Sequence, residues 1–244
     1  MPLQRREFKF LFEFDELAHL KRLLAPHCYP DPHAGPDGTY LIRSLYLDTW
    51  DYRLYLANER EAALRYKARI RTYPSRPGSP VFLEIKNRIL DVIHKTRAKV
   101  AYEGWADHLH RRDPDVGSGL GAFLLRLHQH GLGPTTLVQY ARYAWLGRRE
   151  TYARVSLDIC IQCQERHTFD LEACDRYWRP IDSPYVTLTT RPVAVLELKF
   201  SGAPPWWMQS LVKELDLIRH AYSKYCNSVR SSLPEGSARR VVHR

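Results

Sequence analysis

Between residues 65 and 71 the chain reads Arg65-Tyr66-Lys67-Ala68-Arg69-Ile70-Arg71, four cations at a spacing of two. Extended backbone sends successive side chains to opposite faces, so a strand here carries all four charges on one side and its apolar residues on the other. The arrangement recurs in Glu7-Phe8-Lys9, Glu84-Ile85-Lys86, Lys95-Thr96-Arg97-Ala98-Lys99, Arg154-Val155-Ser156-Leu157-Asp158 and Glu197-Leu198-Lys199. One such pair is ordinary on the solvated face of an antiparallel sheet. Repetition over neighbouring strands is not, because like charges facing one another repel unless an anion, a carboxylate lattice or water lies between them. The rows predict an internal polar surface that receives a polyanion.

Phosphate recognition is the chemistry these residue types suit. An arginine fork clasps two phosphate oxygens, and a lysine supplies a compact charge to one. The acidic positions ask for something else, since a carboxylate repels phosphate unless a cation lies between them. Mg²⁺ or Mn²⁺ accepts carboxylate, phosphate and water oxygen together. Glu197 is the first candidate metal ligand, with Glu7, Glu84 and Asp158 as companions, although each could instead fix a neighbouring base by an ion pair.

The elements that must position these residues follow from periodicity and punctuation. Strands are predicted over 5–12, 40–46, 62–73, 80–89, 91–102, 136–146, 151–162, 164–171 and 193–200. Asp15 is placed to cap a helix bearing Leu17, Leu20, Leu23 and Leu24 on one face. Residues 48–58 predict a turn and short helix, and Gly104 to Arg112 a short helical piece. Ser118 caps a helix carrying Leu120, Phe123, Leu124 and Leu127 that ends near Gly131. Pro204-Pro205-Trp206 starts a helix presenting Leu211, Leu215 and Ile218. A single domain is predicted, with Pro74 to Pro80 as a hairpin connection. Alternation leaves one conflict: Arg43 and Asp48 have opposite parity and cannot share a face of one regular strand.

The 244 residues, 44% hydrophobic and 26% charged, describe a globular chain with material for a core. A net charge of +10 spread through ordered-looking segments favours a polyanionic partner. Five scattered cysteines leave Cys160-x-x-Cys163 without the second pair of a zinc site, which predicts reduced thiols. No signal-peptide core and no run of 18 apolar residues occurs, which predicts a soluble, cytoplasmic protein. Phosphate-loop, Gly-x-Ser-x-Gly and His-Glu-x-x-His patterns are missing, and the pairs His108-x-His110 and His128-x-His130 read as surface helix residues. The aromatic residues follow apolar faces, so they predict core packing, and no specific nucleic acid is expected.

The ordered set of motifs resembles the VTC domain family, the catalytic domain of polyphosphate polymerases, within the CYTH-like triphosphate tunnel metalloenzyme superfamily. The likeness rests on Arg6-Glu7-Phe8-Lys9, Ile42-Arg43-Ser44-Leu45-Tyr46-Leu47-Asp48, the Arg69 and Arg71 pair, Leu83-Glu84-Ile85-Lys86, His94-Lys95-Thr96-Arg97, Gln139-Tyr140-Ala141-Arg142, Arg154 to Asp158, Val195-Leu196-Glu197-Leu198-Lys199 and Ser223-Lys224-Tyr225. Arg5 stands where many relatives carry a further alternating glutamate, which favours the polymerase-like branch.

The resemblance implies an α+β fold, an antiparallel eight-stranded β-barrel forming a triphosphate tunnel with flanking helices, over residues 5–228, and a flexible tail over 229–244. It implies Arg69, Arg71, Arg142 and Arg154 as the residues that stabilise transferred charge. Lys9, Arg43, Arg65, Lys67, Lys86, Lys95, Arg97, Lys199 and Lys224 hold the phosphate chain, and Mn²⁺ or Mg²⁺ is the cofactor. ATP and inorganic polyphosphate or triphosphate are the expected partners. Polymerisation of polyphosphate from ATP is the leading expectation; hydrolysis of triphosphate or nucleoside triphosphate, or binding without catalysis, are the alternatives.

Overall fold

A computed structural model describes residues 5–74, 78–89, 92–111, 115 and 117–232. In chain order the elements are β1 (Arg5–Glu13), a 3-10 turn (Phe14–Glu16), α1 (Leu17–Leu24), β2 (Cys28–Pro30), β3 (Thr39–Asp48) and α2 (Arg53–Glu59). Then come β4 (Leu64–Thr72), β5 (Val81–Ile89), β6 (Val92–Val100), a 3-10 helix (Trp105–His110) and α3 (Gly119–Gln129). They continue through β7 (Gly133–Gly147), β8 (Arg154–Glu165), a 3-10 turn (Asp175–Tyr177), β9 (Arg179–Pro180) and α4 (Pro184–Thr187). The series ends with β10 (Val193–Ser201), α5 (Trp206–Glu214) and α6 (Lys224–Ser232).

This is a mixed α+β protein with one ten-stranded sheet whose main path runs β1-β10-β8-β7-β3-β4-β5-β6, with β2 on β7 and β9 on β8. No β1 to β6 pairing joins its ends among the described residues, so the sheet is open where a closed barrel was expected. The described residues group into two compact units, one within 5–41, 140–161 and 180–223 and the other within 42–139, 162–179 and 224–232. β3, β7 and β8 each contribute residues to both.

In the first unit β1, β10 and β8 pair antiparallel, with Lys9 opposite Glu197 and Glu197 opposite Ser156. This register sends Phe10, Phe12, Leu196, Leu198, Val155 and Leu157 to one face. There they pack with Leu20 and Leu24 of α1 and Trp207, Met208 and Leu211 of α5. A slip of one residue would reverse the faces. Each fully buried side chain of this size is worth about 2 kcal/mol, so the apolar face fixes where the charges point.

The second unit repeats the logic. Leu45, Leu47, Ala68, Ile70, Leu83 and Ile85 form the apolar face of β3, β4 and β5 and pack with Phe123, Leu124 and Leu127 of α3. Ser118 caps α3 as predicted, its hydroxyl accepting from the Gly121 amide. Gly119 is required by a close approach: a Cβ there would lie 2.5 Å from the Arg97 carbonyl oxygen on β6.

Several element predictions need correction. The strands expected at 151–162 and 164–171 are a single β8 ending at Glu165. The chain beyond it is held irregular by Arg166, which donates to Gln164 Oε1 and the Glu172 carbonyl. Asp15 does not cap α1, which starts after Glu16 without a side-chain cap bond. α5 ends at Glu214, so Ile218 lies outside its apolar face, 81% exposed. The tail expected from 229 begins inside α6, whose Val229 is buried; residues 233–244 lie outside the described ones, as do 75–77 of the expected hairpin connection. No described helix is long and apolar enough to cross a membrane.

Candidate functional site

The registers of β4, β5 and β6 turn the period-two rows into a lattice. Arg65 faces Arg88; Lys67 faces Lys86, which faces Lys95; Arg69 faces Glu84, which faces Arg97; Arg71 faces Phe82, which faces Lys99. One face of three adjacent strands thus carries nine cations, Arg65, Lys67, Arg69, Arg71, Lys86, Arg88, Lys95, Arg97 and Lys99, and one acid, Glu84. Direct opposition of Lys67, Lys86 and Lys95 is unfavourable for a sheet by itself.

Glu84 is buried at the centre of this lattice. Its Oε2 accepts from Arg69 Nε at 2.8 Å and Nη2 at 2.7 Å. Its Oε1 meets Lys95 Nζ at 2.5 Å and Arg97 Nε at 3.1 Å, as charge contacts that are poorly aligned for hydrogen bonding. Burial opposes ionisation, but Arg69, Arg71 and Lys95 outweigh it and hold the carboxyl well below the usual range. Burial, partly offset by Glu84, lowers Lys95 to about 8. Arg71 is buried, with Nε donating to Ser44 Oγ at 3.0 Å.

In the first unit the charged face is close to balanced. Arg142 on β7 clasps Asp158 with Nε and Nη2, at 2.5 and 2.7 Å, and reaches Glu197 Oε2 at 3.2 Å. Glu197 Oε2 also takes a short hydrogen bond from Lys199, and Ser156 Oγ lies within reach of both. Burial disfavours the Arg142 charge, yet Asp158 outweighs it and raises its pKa. Lys199, buried beside Glu197 and pushed by Arg142, falls to about 8. Lys9 Nζ stands 3.6 Å from both Glu7 Oε1 and Glu197 Oε1 and donates to the Tyr222 carbonyl.

The predicted residues therefore sort into three groups. Arg65, Lys67, Arg69, Arg71, Glu84, Lys86, Lys95 and Arg97 share the face of the second unit. Glu7, Lys9, Arg142, Asp158, Glu197 and Lys199 share that of the first, with Arg154 exposed opposite Lys199. Arg43 joins neither: its parity places it with Leu45 and Leu47, and its guanidinium donates to Gln139 Oε1 and the Leu171 carbonyl. Lys224 is the buried first residue of α6, consistent with entry from a helix end.

As metal ligands the four candidate acids also divide. Both Asp158 oxygens are engaged by Arg142, both Glu84 oxygens meet cations, and both Glu197 oxygens do too, Oε2 with Arg142 and Lys199 and Oε1 with Lys9. Among the described residues no group of three or more His, Cys, Asp and Glu is placed to hold an ion. Glu7 and Glu197 are the two that share one cation. The Lys9 ammonium stands between their oxygens as a cation already does, and Mg²⁺-like ions bind through one or two carboxylates completed by phosphate and water.

Sequence reasoning missed the two tyrosines, Tyr46 and Tyr225, that stand beside the charged groups. Asp48 ends β3 and accepts from the amides of Thr49, Leu54 and Tyr55, so it serves the exposed donors at the α2 N-terminus. It also takes a short hydrogen bond from Tyr225 of α6. Tyr46, two residues earlier, stacks on Tyr225 and accepts from Arg69. The shared parity of Ser44, Tyr46 and Asp48 was the available signal.

Two solved structures from Pyrococcus horikoshii OT3 are similar to the chain. That of PH1012 protein is 12% identical with a TM-score of 0.46, covering 89% of this chain and 92% of that one. That of PH1819 protein is 11% identical with a TM-score of 0.48, covering 94% and 99%. No curated protein matches the chain. The ordered motifs and the strands that carry them are accounted for together by the one family match, to the VTC domain over residues 4–233, and the chain belongs to the VTC domain family.

Proposed function

We propose that the protein is a metal-dependent polyphosphate polymerase that transfers the γ-phosphoryl group of ATP to a polyphosphate chain. The observation that carries this reading is the lattice of nine cations around one acid on β4, β5 and β6. Positive charge at this density favours a multivalent anion as its partner. Family membership supports polyphosphate or nucleoside triphosphate as that anion and a phosphotransferase or related enzyme as the class. The eight-stranded tunnel of the family belongs to this proposal.

In the transfer, a terminal oxygen of the bound chain forms a bond to the γ-phosphorus while the bond from that phosphorus to the β,γ-bridging oxygen breaks, and ADP leaves with the electron pair. No general base is needed, because the attacking phosphate is already ionised. Arg69 and Arg71 offer fixed donors to charge on the equatorial oxygens, which is where phosphoryl transfer needs them, and Arg142 is the corresponding candidate within the first unit. Lys67, Lys86 and Lys95 hold the anion along the strands, and Arg154 acts at the exposed margin. Mn²⁺ or Mg²⁺ on Glu197 and Glu7 would neutralise phosphate charge when bound.

The test incubates purified protein with ATP and Mn²⁺ or Mg²⁺, resolves chains on a gel and assays orthophosphate, beside Glu197→Ala. Long chains that depend on the wild-type protein support the proposal. Orthophosphate without chains replaces it with triphosphate or nucleoside triphosphate hydrolysis, and tight triphosphate binding with no product replaces it with a binding function.

A further inference from the structure

The hydroxyl of Tyr46 has an unusual position. The residue is 5% exposed, yet its parity sets it on the charged face of the second unit, directly opposite Arg69 and two residues from Ser44, which supports Arg71. Arg69 Nη1 donates to the phenolic oxygen at 3.3 Å. The phenolic hydrogen itself makes no hydrogen bond among the described residues. A buried donor without an acceptor is costly, and the group that touches the phenolic oxygen, the Arg69 guanidinium, accepts nothing.

The ring that carries this donor is held firmly. Tyr46 stacks on Tyr225 with centroids 5.1 Å apart and planes 22° from parallel. Tyr225 is tied through its hydroxyl to Asp48, which is itself fixed by the Leu54 and Tyr55 amides of α2. Strand β3, α2 and α6 thus converge on one carboxylate, and the stack it anchors aims a neutral donor beside an arginine pair. Such a donor complements a tetrahedral group with several acceptor oxygens: the guanidiniums of Arg69 and Arg71 supply charge, and the phenol supplies a third, uncharged hydrogen bond.

We propose that Tyr46 is a phosphate-binding residue, donating its phenolic hydrogen to a phosphoryl oxygen held by Arg69 and Arg71, with Tyr225 and Asp48 as the positioning residues that fix its ring. The inference rests on the reading of this face as a phosphate site. Its electrostatics agree: burial opposes ionisation of the phenol, but Arg69, Arg71 and Lys67 on β4 outweigh it and lower Tyr46 to about 8. The other ionisable groups beside it are Tyr225 on α6, Asp48 on β3 and, through the shared Arg69 guanidinium, Glu84 on β5. A more acidic phenol is a stronger donor to phosphate, and a bound anion pushes its pKa back up.

The test titrates the full chain, Tyr46→Phe and Tyr225→Phe with inorganic triphosphate by calorimetry at pH 7 without metal. Tyr46→Phe keeps the ring and the stack and is expected to retain the wild-type melting profile while losing about tenfold in affinity. Tyr225→Phe loses only the tie to Asp48 and is expected to lose about threefold. A second readout is the phenolate absorbance of the wild-type protein. A phenolate titrating near pH 8 in the free protein is expected to require higher pH once triphosphate is bound, and to be missing in Tyr46→Phe. Wild-type affinity in Tyr46→Phe, or a phenolate indifferent to triphosphate, overturns the assignment alone. A wild-type chain that does not bind triphosphate overturns the reading of the face as well.

Discussion

The two charged faces are built from the same period-two alternation but solve opposite electrostatic problems. In the first unit Arg142, Lys199 and Lys9 are matched by Asp158, Glu197 and Glu7, so charges taken from water are repaid locally. In the second, Glu84 meets Arg69, Lys95 and Arg97, and Lys67, Lys86 and Lys95 stand opposite one another across the strands. The first face is matched charge for charge, and the second carries an excess of positive charge that favours an anion. Charge pattern along a strand does not distinguish them; the partner strand does.

Removing Arg142 gives the largest expected effect. Arg142→Met leaves Asp158, 0% exposed, without its counter-charge and is expected to cost about 3–5 kcal/mol in urea unfolding. Lys86→Met in the second unit removes one of three opposed ammoniums and is expected to be neutral or to stabilise by up to about 1 kcal/mol. Equal losses in the two variants would dissolve the contrast between the faces.

Glu84→Gln comes next. Lys95 and Arg97 are each 40% exposed and can turn to water, so the expected loss is smaller, about 1–3 kcal/mol. Triphosphate should raise the melting temperature of this variant more than that of the wild type, because it replaces the missing negative charge. Thermal unfolding with and without triphosphate measures both terms, and an equal ligand shift in the two proteins would separate Glu84 from the anion site.

The smallest effect is in proton counts. Lys95 and Lys199 have pKa values lowered from 10.5 to about 8, so between those values the unfolded chain holds more protons and the contribution of each lysine to stability rises with pH. A phosphate beside Lys95 raises its pKa. Triphosphate binding near pH 8 is therefore expected to take up protons and to weaken as pH rises. Calorimetry in two buffers of different ionisation enthalpy checks this, with Lys95→Met abolishing the uptake and Lys199→Met retaining it. Loss of uptake in Lys199→Met instead would shift the anion toward the balanced face.

Much of this was readable from residue order. The Arg65 to Arg71 row, the Glu197-Leu198-Lys199 triplet and the Ser118 cap stand as their spacing predicts. Arg43 was legible only as a cation in a motif; its parity with Leu45 and Leu47 places it among backbone and amide acceptors. α6 was hidden because its stability comes from burying Tyr225, Cys226 and Val229, and short polar helices carry little signal of their own.

What the sequence by itself determined is which side chains share a face, because alternation follows from the covalent geometry of an extended chain and a one-residue slip would expose Phe10, Phe12, Leu83 and Ile70. Only the tertiary structure decided the pairings: that Asp158 answers Arg142, that Glu84 sits among three cations, and that Tyr225 reaches Asp48 across 177 positions. Those contacts depend on strand register and helix docking over long sequence separations, and the energies that select them exist only once the low-dielectric interior has formed.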